Sequence, residues 1–304
     1  MNLNFPHFAK HFFCAAFLVL GAAQAQAADE ILKPFVLGSK GPGTVEQKAA
    51  AAKTALAANG FAVVGEYAPY PDADVIVVSS DELKSNAGQS EHGGFGAIQR
   101  VAVTKVGNDI QVSYTNPVYM ANVYRMKGDL SGVRAKLEAA LGKVEDFGAQ
   151  GMTASQARKY HYMIGMEYFT EPSLLASYPS HEAAVQAVEK GLAAGKGGVT
   201  RVYRVDVPGT QEVLFGVGMK GAGDARKYMD DKFIMSEIDF RDLKSTAHLP
   251  YEVLVSGNDV LALYARFRIA IDFPDLSMMG RNSFMNIMKS PEAIRSALQQ
   301  AVSP

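Results

Sequence analysis

Gly216-Val217-Gly218-Met219-Lys220-Gly221 has the spacing G-x-G-x-x-G, after an apolar run, Val213 to Phe215, and before a helix expected from Asp224. A turn of this kind can present backbone N–H groups to a phosphate or a carboxylate. Lys220 and Arg226 would add positive charge. The dinucleotide fingerprint, however, needs a parallel βαβ unit, and the flanking elements here read as antiparallel. The expectation is therefore a small anionic ligand at Gly216, Gly218, Lys220 and Arg226, not a nucleotide. Loop drift would leave the same glycines, and that is the plainer account.

Two more residues join this candidate site at the rim of the second half. His248 and Tyr264 are expected near Lys220, and an enzyme could be built from the three. No Ser-His-Asp or paired-carboxylate arrangement supports one, so the catalytic residues are unknown. His92 and His248 both precede the fourth strand of their halves, and His181 reads as solvated in the first turn of a helix. No histidine pair has i,i+2 or i,i+4 ligand spacing, so neither a metal nor any cofactor is expected, and metal is not needed for folding. His161-x-Met163-x-x-Met166 could offer soft ligands to Cu(I). The plainer reading of the nine methionines from Met163 to Met288 is core filling. Asp230-Asp231 and Asp239-x-x-Asp242 read as solvated faces.

The elements that must position these residues occur twice. Gly107-Asn108-Asp109-Ile110-Gln111-Val112-Ser113-Tyr114 and Gly257-Asn258-Asp259-Val260-Leu261-Ala262-Leu263-Tyr264 share Gly, Asn, Asp and Tyr at the same offsets. Each follows an apolar run and reads as a β-hairpin turning at Asn-Asp, with both tyrosine rings in the core. In the first half, Lys33 to Gly38 is a strand, and Thr44 opens a helix with Gln47 completing a capping box. Val45, Ala49, Ala52 and Leu56 form the apolar stripe of that helix. Phe61 to Tyr67 and Val75 to Ser79 are strands, residues 81–96 a loop, Ile98 to Tyr114 the hairpin stopped by Asn116-Pro117, and Leu130 to Leu141 a helix.

The second half repeats the order. Tyr160 to Phe169 opens it as a strand, and Ser180 caps a helix striped by Val185, Val188 and Leu192. Thr44 falls on Ser180, Val75 on Val213, Tyr114 on Tyr264 and Val133 on Ile294 at offsets of 136, 138, 150 and 161. The offset grows only across loops, as in duplicated units with surface insertions. The fold class is α+β. It comprises two tandem β-α-β4-α units, residues 28–150 and 151–304, each an antiparallel sheet with two helices on one face.

Residues 1–27 read as a cleaved secretory signal peptide: Lys10, the apolar run Phe12 to Ala23, then Ala25-Gln26-Ala27. The run is too short for a membrane span of ~20 residues, so no stable membrane anchor is expected after cleavage. Cleavage near Ala28 would remove Cys14, the only cysteine, which excludes disulfides and thiolate sites from the rest. It would leave 29 of the 30 Lys and Arg against 31 Asp and Glu. Such a balance gives no electrostatic footprint for nucleic acid.

Leu56-x-x-x-Gly60-Phe61, Val112-Ser113-Tyr114-Thr115-Asn116-Pro117 and Leu249-Pro250-Tyr251-Glu252-Val253-Leu254-Val255 resemble the family called domain of unknown function 302, here in tandem copies. The resemblance implies a curved antiparallel sheet with two helices, akin to the TATA-binding-protein repeat, and implies no reaction. The Gly-Asn-Pro usual after its third strand is replaced by Ser79-Ser80-Asp81 and Gly216-Val217-Gly218. The functional expectation is a periplasmic, non-enzymatic protein that binds a small ligand or a protein partner, with an enzyme at the rim of the second unit as the alternative. An open sheet face buried against another chain is a third reading.

Overall fold

The computed structural model describes Met1, residues 30–224 and residues 226–303. The expected signal segment thus lies outside the described residues, Met1 apart. The chain is α+β, with antiparallel strand pairing throughout the described residues. The first half holds β1 (Ile31–Leu32), β2 (Phe35–Gly41), α1 (Val45–Ala58), β3 (Ala62–Tyr67), β4 (Ala73–Ser79), α2 (Asp81–Ala87), β5 (Gln99–Val106), β6 (Asp109–Thr115), α3 (Pro117–Val123), α4 (Ser131–Leu141) and β7 (Glu145–Phe147). Next come β8 (Met152–Thr153), which pairs with β1, and α5 (Ala154–Arg158). The second half holds β9 (Ser173–Ser177), α6 (His181–Ala193), β10 (Val199–Val207), β11 (Glu212–Met219), α7 (Asp231–Ile238), β12 (Tyr251–Ser256), β13 (Asp259–Ala262), α8 (Ala265–Asp272) and α9 (Ser290–Val302).

The large sheets run β3-β4-β5-β6-β2-β7 and β10-β11-β12-β13-β9. Without β7 the two orders are the same, strand for strand. The local causes are also shared. Thr44 and Gln47 close a capping box on α1, and Ser180 accepts from the Ala183 N–H at the start of α6. Both hairpins turn through two residues, Gly107-Asn108 and Gly257-Asn258, one position earlier than the Asn-Asp expected. Gly107 and Gly257 sit at φ +61° and +59°, the first central position of a II′ turn, where glycine has no steric cost.

Three expected elements differ. Residues 81–96 are not a plain loop: Ser80 caps α2, which buries Leu83 and Ala87. Asn116-Pro117 ends β6 by starting α3, with the Asn116 side chain accepting from Val118 and Tyr119 and proline at the first turn, where its missing N–H costs nothing. The opening strand of the second half is β9, not Tyr160 to Phe169. That stretch bends at Gly165 (φ +82°) and keeps one bridge, His161 to Tyr168. Likewise the helix expected from Asp224 begins at Asp231.

Each sheet has one face under a helix pair, α1 with α4 and α6 with α9. On the first sheet that face is apolar, with Val101, Val103, Val112 and Tyr114 buried. Its other face carries Arg100, Thr104, Gln111 and Ser113, and these are buried too. Each one bonds to the second half: Arg100 to Glu252, Thr104 to Thr246, Gln111 to the Asp242 carbonyl and the Lys244 N–H, and Ser113 to the Lys244 carbonyl. The open face offered to another chain is thus covered by the chain's own second half.

At the centre of this contact Glu252 sits between two arginines, with Arg100 Nη1 at 2.6 Å from Oε1 and Arg268 Nη1 at 2.7 Å from Oε2. The three are 3, 2 and 1 % exposed respectively. Burial works against the Arg100 charge, but Glu252 beside it more than compensates and holds the guanidinium above its ordinary pKa. Glu252→Ala would leave two buried cations facing each other, a change that costs about 3–5 kcal/mol when a buried pair loses one partner. Lys53→Ala breaks only the exposed pair with Glu66, worth about 1 kcal/mol or less. Urea denaturation of both variants should show this ordering.

Candidate functional site

The residues expected to bind an anion are placed by the structure as follows. Gly216 and Gly218 lie inside β11, Gly216 laddered to Tyr203 and Glu252 and Gly218 to Thr200. A Cβ on Gly216 would fall 1.8 Å from the Tyr203 ring, and one on Gly218 2.5 Å from the Tyr67 ring. These glycines admit aromatic rings, and no ligand approaches through them. The amides beyond them are taken: Met219 N–H donates to Asp231, Lys220 N–H to the Gly198 carbonyl and Gly221 N–H to Asp230. The anion-binding turn therefore does not form. Lys220 and Arg226 are exposed side chains beside it.

His248 is fully buried, with Nδ1 2.6 Å from Asp272 Oδ2 and the ring edge-on to Tyr251 and Phe273. Burial pushes its imidazole down to about 4 against the pull of Asp272, so the ring is neutral at pH 7 and donates from Nδ1 to the carboxylate. Tyr264 is not a core partner of Tyr114: it lies half-buried at the start of α8, on the wall of a cleft with Tyr162 and Arg266. Lys220, His248 and Tyr264 share no hydrogen bond and no cleft. His181 is half-buried and binds the Gly257 carbonyl from Nδ1, which ties α6 to the hairpin.

Of the acids read as solvated, Asp242 is exposed, whereas Asp231 and Asp239 are buried. Asp231 is buried in α7, where Tyr67 donates to it at 2.6 Å and Met219 N–H at 2.9 Å. Burial pushes its carboxyl up to about 7 despite these bonds. Asp239, at the end of α7, accepts from Ser245 N–H through Oδ1, while Oδ2 has no partner among the described residues. Burial raises it likewise to about 7.

Asp239 lies on the wall of a cleft of about 450 Å³ where the two halves meet. Tyr70, Pro71 and Asp72 of the β3–β4 turn, Thr104 and Lys105 at the end of β5, Lys232, Met235 and Ser236 of α7, and Lys244 complete it. The size suits a small molecule, since such sites span roughly 300–1,000 Å³. Thr246 fixes one wall, bonded at 3.0 Å to both the Tyr70 and the Thr104 hydroxyls. Burial raises the Tyr70 phenol, which keeps it a neutral donor. Lys244 binds the Asp239 carbonyl at 2.9 Å. Lys105 and Lys232 enter none of the ion pairs among the described residues. The cleft thus sets three lysines against two aspartates and can hold an anion on its lysines and hydroxyls.

No family model, curated protein or solved structure matches the chain. The cleft stands on its own geometry.

Its residues come from four segments of both halves, and none has a motif. The one available signal was alternation, which places Thr104 on the polar face of β5 with Arg100. Two outcomes check this description. Gly216→Ala should destabilise by about 1–3 kcal/mol through overpacking on Tyr203, whereas Gly41→Ala, whose Cβ meets nothing within 4 Å, should stay within about 0.5 kcal/mol.

The second concerns Asp231. The folded state keeps its proton up to about pH 7 and the unfolded state releases it near 3.8, so its contribution to stability declines as pH rises across that window. Asp231→Asn removes the titration. Its Tm relative to the parent should therefore be more favourable at pH 8 than at pH 4, as measured by differential scanning calorimetry.

Proposed function

We propose that the protein is a non-enzymatic binding protein, exported to the periplasm, whose ligand is a small acid held in the cleft of Lys105, Lys232, Lys244 and Asp239. The observation that carries this reading is the meeting of Lys105 and Lys232, which enter no ion pair among the described residues, with a buried Asp239 oxygen that has no partner among them. Lys105 and Lys232 attract the acid groups of the ligand. Asp239 favours a ligand that also brings a hydroxyl, which can accept from the protonated carboxyl below about pH 7 and donate to the carboxylate above it, because a buried polar group left unpaired costs about 1–3 kcal/mol. Export rests on the pattern of residues 1–27, and the tandem domain of unknown function 302 reading rests on the hairpin and helix-end residues. Neither implies a reaction.

The test is calorimetric titration with a panel that includes L-malate and succinate, which differ by one hydroxyl. Malate should bind more tightly than succinate. Lys105→Ala/Lys232→Ala should weaken both at least about tenfold, or 1.4 kcal/mol, and binding should weaken as salt rises. Asp239 loses its proton as pH rises through about 7, so one negative charge appears in the cleft and affinity falls from pH 6 to pH 8. Asp239→Asn should flatten that dependence. If the double lysine variant binds every acid of the panel as the parent does, or no acid binds the parent, the reading fails.

A further inference from the structure

The methionines of the second half differ in exposure, and Met152 and Met166 are half-buried. Met219, Met229 and Met235 are buried and fill the core, as expected. Met163, Met278, Met279, Met285 and Met288 are exposed, at 43–75 %. They lie on two loops that touch, before β9 and between α8 and α9. Tyr162 donates its hydroxyl to the Met278 sulfur and packs against Phe284 at 6.0 Å. Met285 N–H donates to the Met278 carbonyl, and Met166 N–H to the Met163 carbonyl. Between the loops is a second cleft, of about 470 Å³, lined by Tyr162, Met166, Tyr264, Arg266, Met288 and Glu292 among others. Met166 and Met288 thus line one cleft, with Met278 next to it through Tyr162.

Thioethers as exposed as Met279 and Met288 gain little from the hydrophobic effect. A thioether is an uncharged, polarisable ligand that selects soft cations over hard ones. Methionine's three rotatable bonds let such side chains close on an ion. The arginines on the wall do not make the cleft strongly cationic: Arg266 is paired with Glu167, and Glu292 lies beside Arg295 in the lining. His161, the expected partner of Met163 and Met166, is engaged elsewhere, with Nδ1 on the Met163 carbonyl at 2.8 Å and its ring 4.6 Å from that of Tyr168.

We propose that Met166 and Met288, with Met278 beside them, form a thioether site for a soft monovalent cation, Cu(I) or Ag(I). The site is independent of the lysine-lined cleft. It recruits methionine sulfur from loops far apart in sequence, which is why the spacing around His161 alone does not describe it.

The test is titration of the full chain carrying Cys14→Ser with Ag(I) in chloride-free buffer, read by calorimetry and by X-ray absorption at the silver edge. Ag(I) should bind at one saturable site with sulfur neighbours. Met166→Leu/Met288→Leu conserves volume and should weaken binding at least about tenfold while leaving the melting temperature close to that of the parent. Met279→Leu alters an exposed methionine outside the cleft lining and should leave Ag(I) affinity unchanged. The proposal is overturned if Ag(I) does not bind, if the double variant binds it as the parent does, or if Met279→Leu weakens it as much as the cleft pair.

Discussion

Two buried arginines around one glutamate, contributed by a strand of each sheet and by α8, are the constraint on which the rest depends. Ions withdrawn from water are tolerated only when each finds its partner and the geometry is close. Arg100 on β5 and Glu252 on β12 can meet only if the sheets turn their second faces toward each other. Arg268 Nη1 at 3.1 Å from the Pro250 carbonyl and Nη2 at 2.5 Å from the His248 carbonyl fix the third member. Once that contact is set, the polar residues flanking it on the first sheet must also find partners in the second half. The Thr104, Gln111 and Ser113 bonds are that consequence.

Close approach of the halves also dictates where glycine is required. Gly65 on β3 would carry a Cβ 2.7 Å from the Val202 carbonyl and 2.8 Å from Tyr203. Any larger residue there would hold β3 and β10 apart, and the Arg100–Glu252 distance could not close. The glycines of β11 make room for two rings, Tyr203 of the adjacent strand and Tyr67 of the first half, whose hydroxyls reach Glu252 and Asp231 respectively. A spacing that resembles a phosphate loop is therefore explained by two aromatic rings, Tyr203 from the neighbouring strand and Tyr67 from the first half.

Much of the fold was legible because its causes are local. The caps at Thr44 and Ser180, the stripes of α1 and α6, and the two Gly-Asn hairpins each follow from a few neighbouring residues. What was not legible depends on distant partners. Alternation assigns Arg100, Thr104, Gln111 and Ser113 to the outer face of a sheet, and it does not distinguish water from the polar face of another half. For the same reason Asp231 and Asp239 read as solvated. The strand β9 is five residues long and owes its position to pairing with β13, so the more aromatic stretch before it was the stronger local signal. Of the residues first assigned to a site, Gly216 and Gly218 have packing roles, His248 is core, and Tyr264 lines the methionine cleft. The lysine cleft had no local signature beyond the alternation that turns Thr104 to the polar face of β5.

One difference between the halves lies in the pair of connections between their third and fourth strands. The segment from β4 to β5 carries α2 and the Gly93–Gly96 turn, which lies on the second sheet: Gly94 N–H donates to Glu212, and a Cβ there would meet Leu254. The segment from β11 to β12 does the reverse and lays Thr246–His248 on β4, β5 and β6. The exchange is reciprocal, as expected of repeated units packed face to face. The second connection is longer and holds α7 and the turn after it. Five of the ten residues that line the lysine cleft come from there: Lys232, Met235, Ser236, Asp239 and Lys244. Divergence between the copies therefore falls in the expected connection, but beyond its glycines, where the segment crosses to the other half. A surface insertion that had stayed on its own sheet would have remained an exposed loop. Here it is anchored by Gln111 and Thr104 of the first sheet, and that anchorage converts a loop into one wall of a cleft whose other wall belongs to the first half.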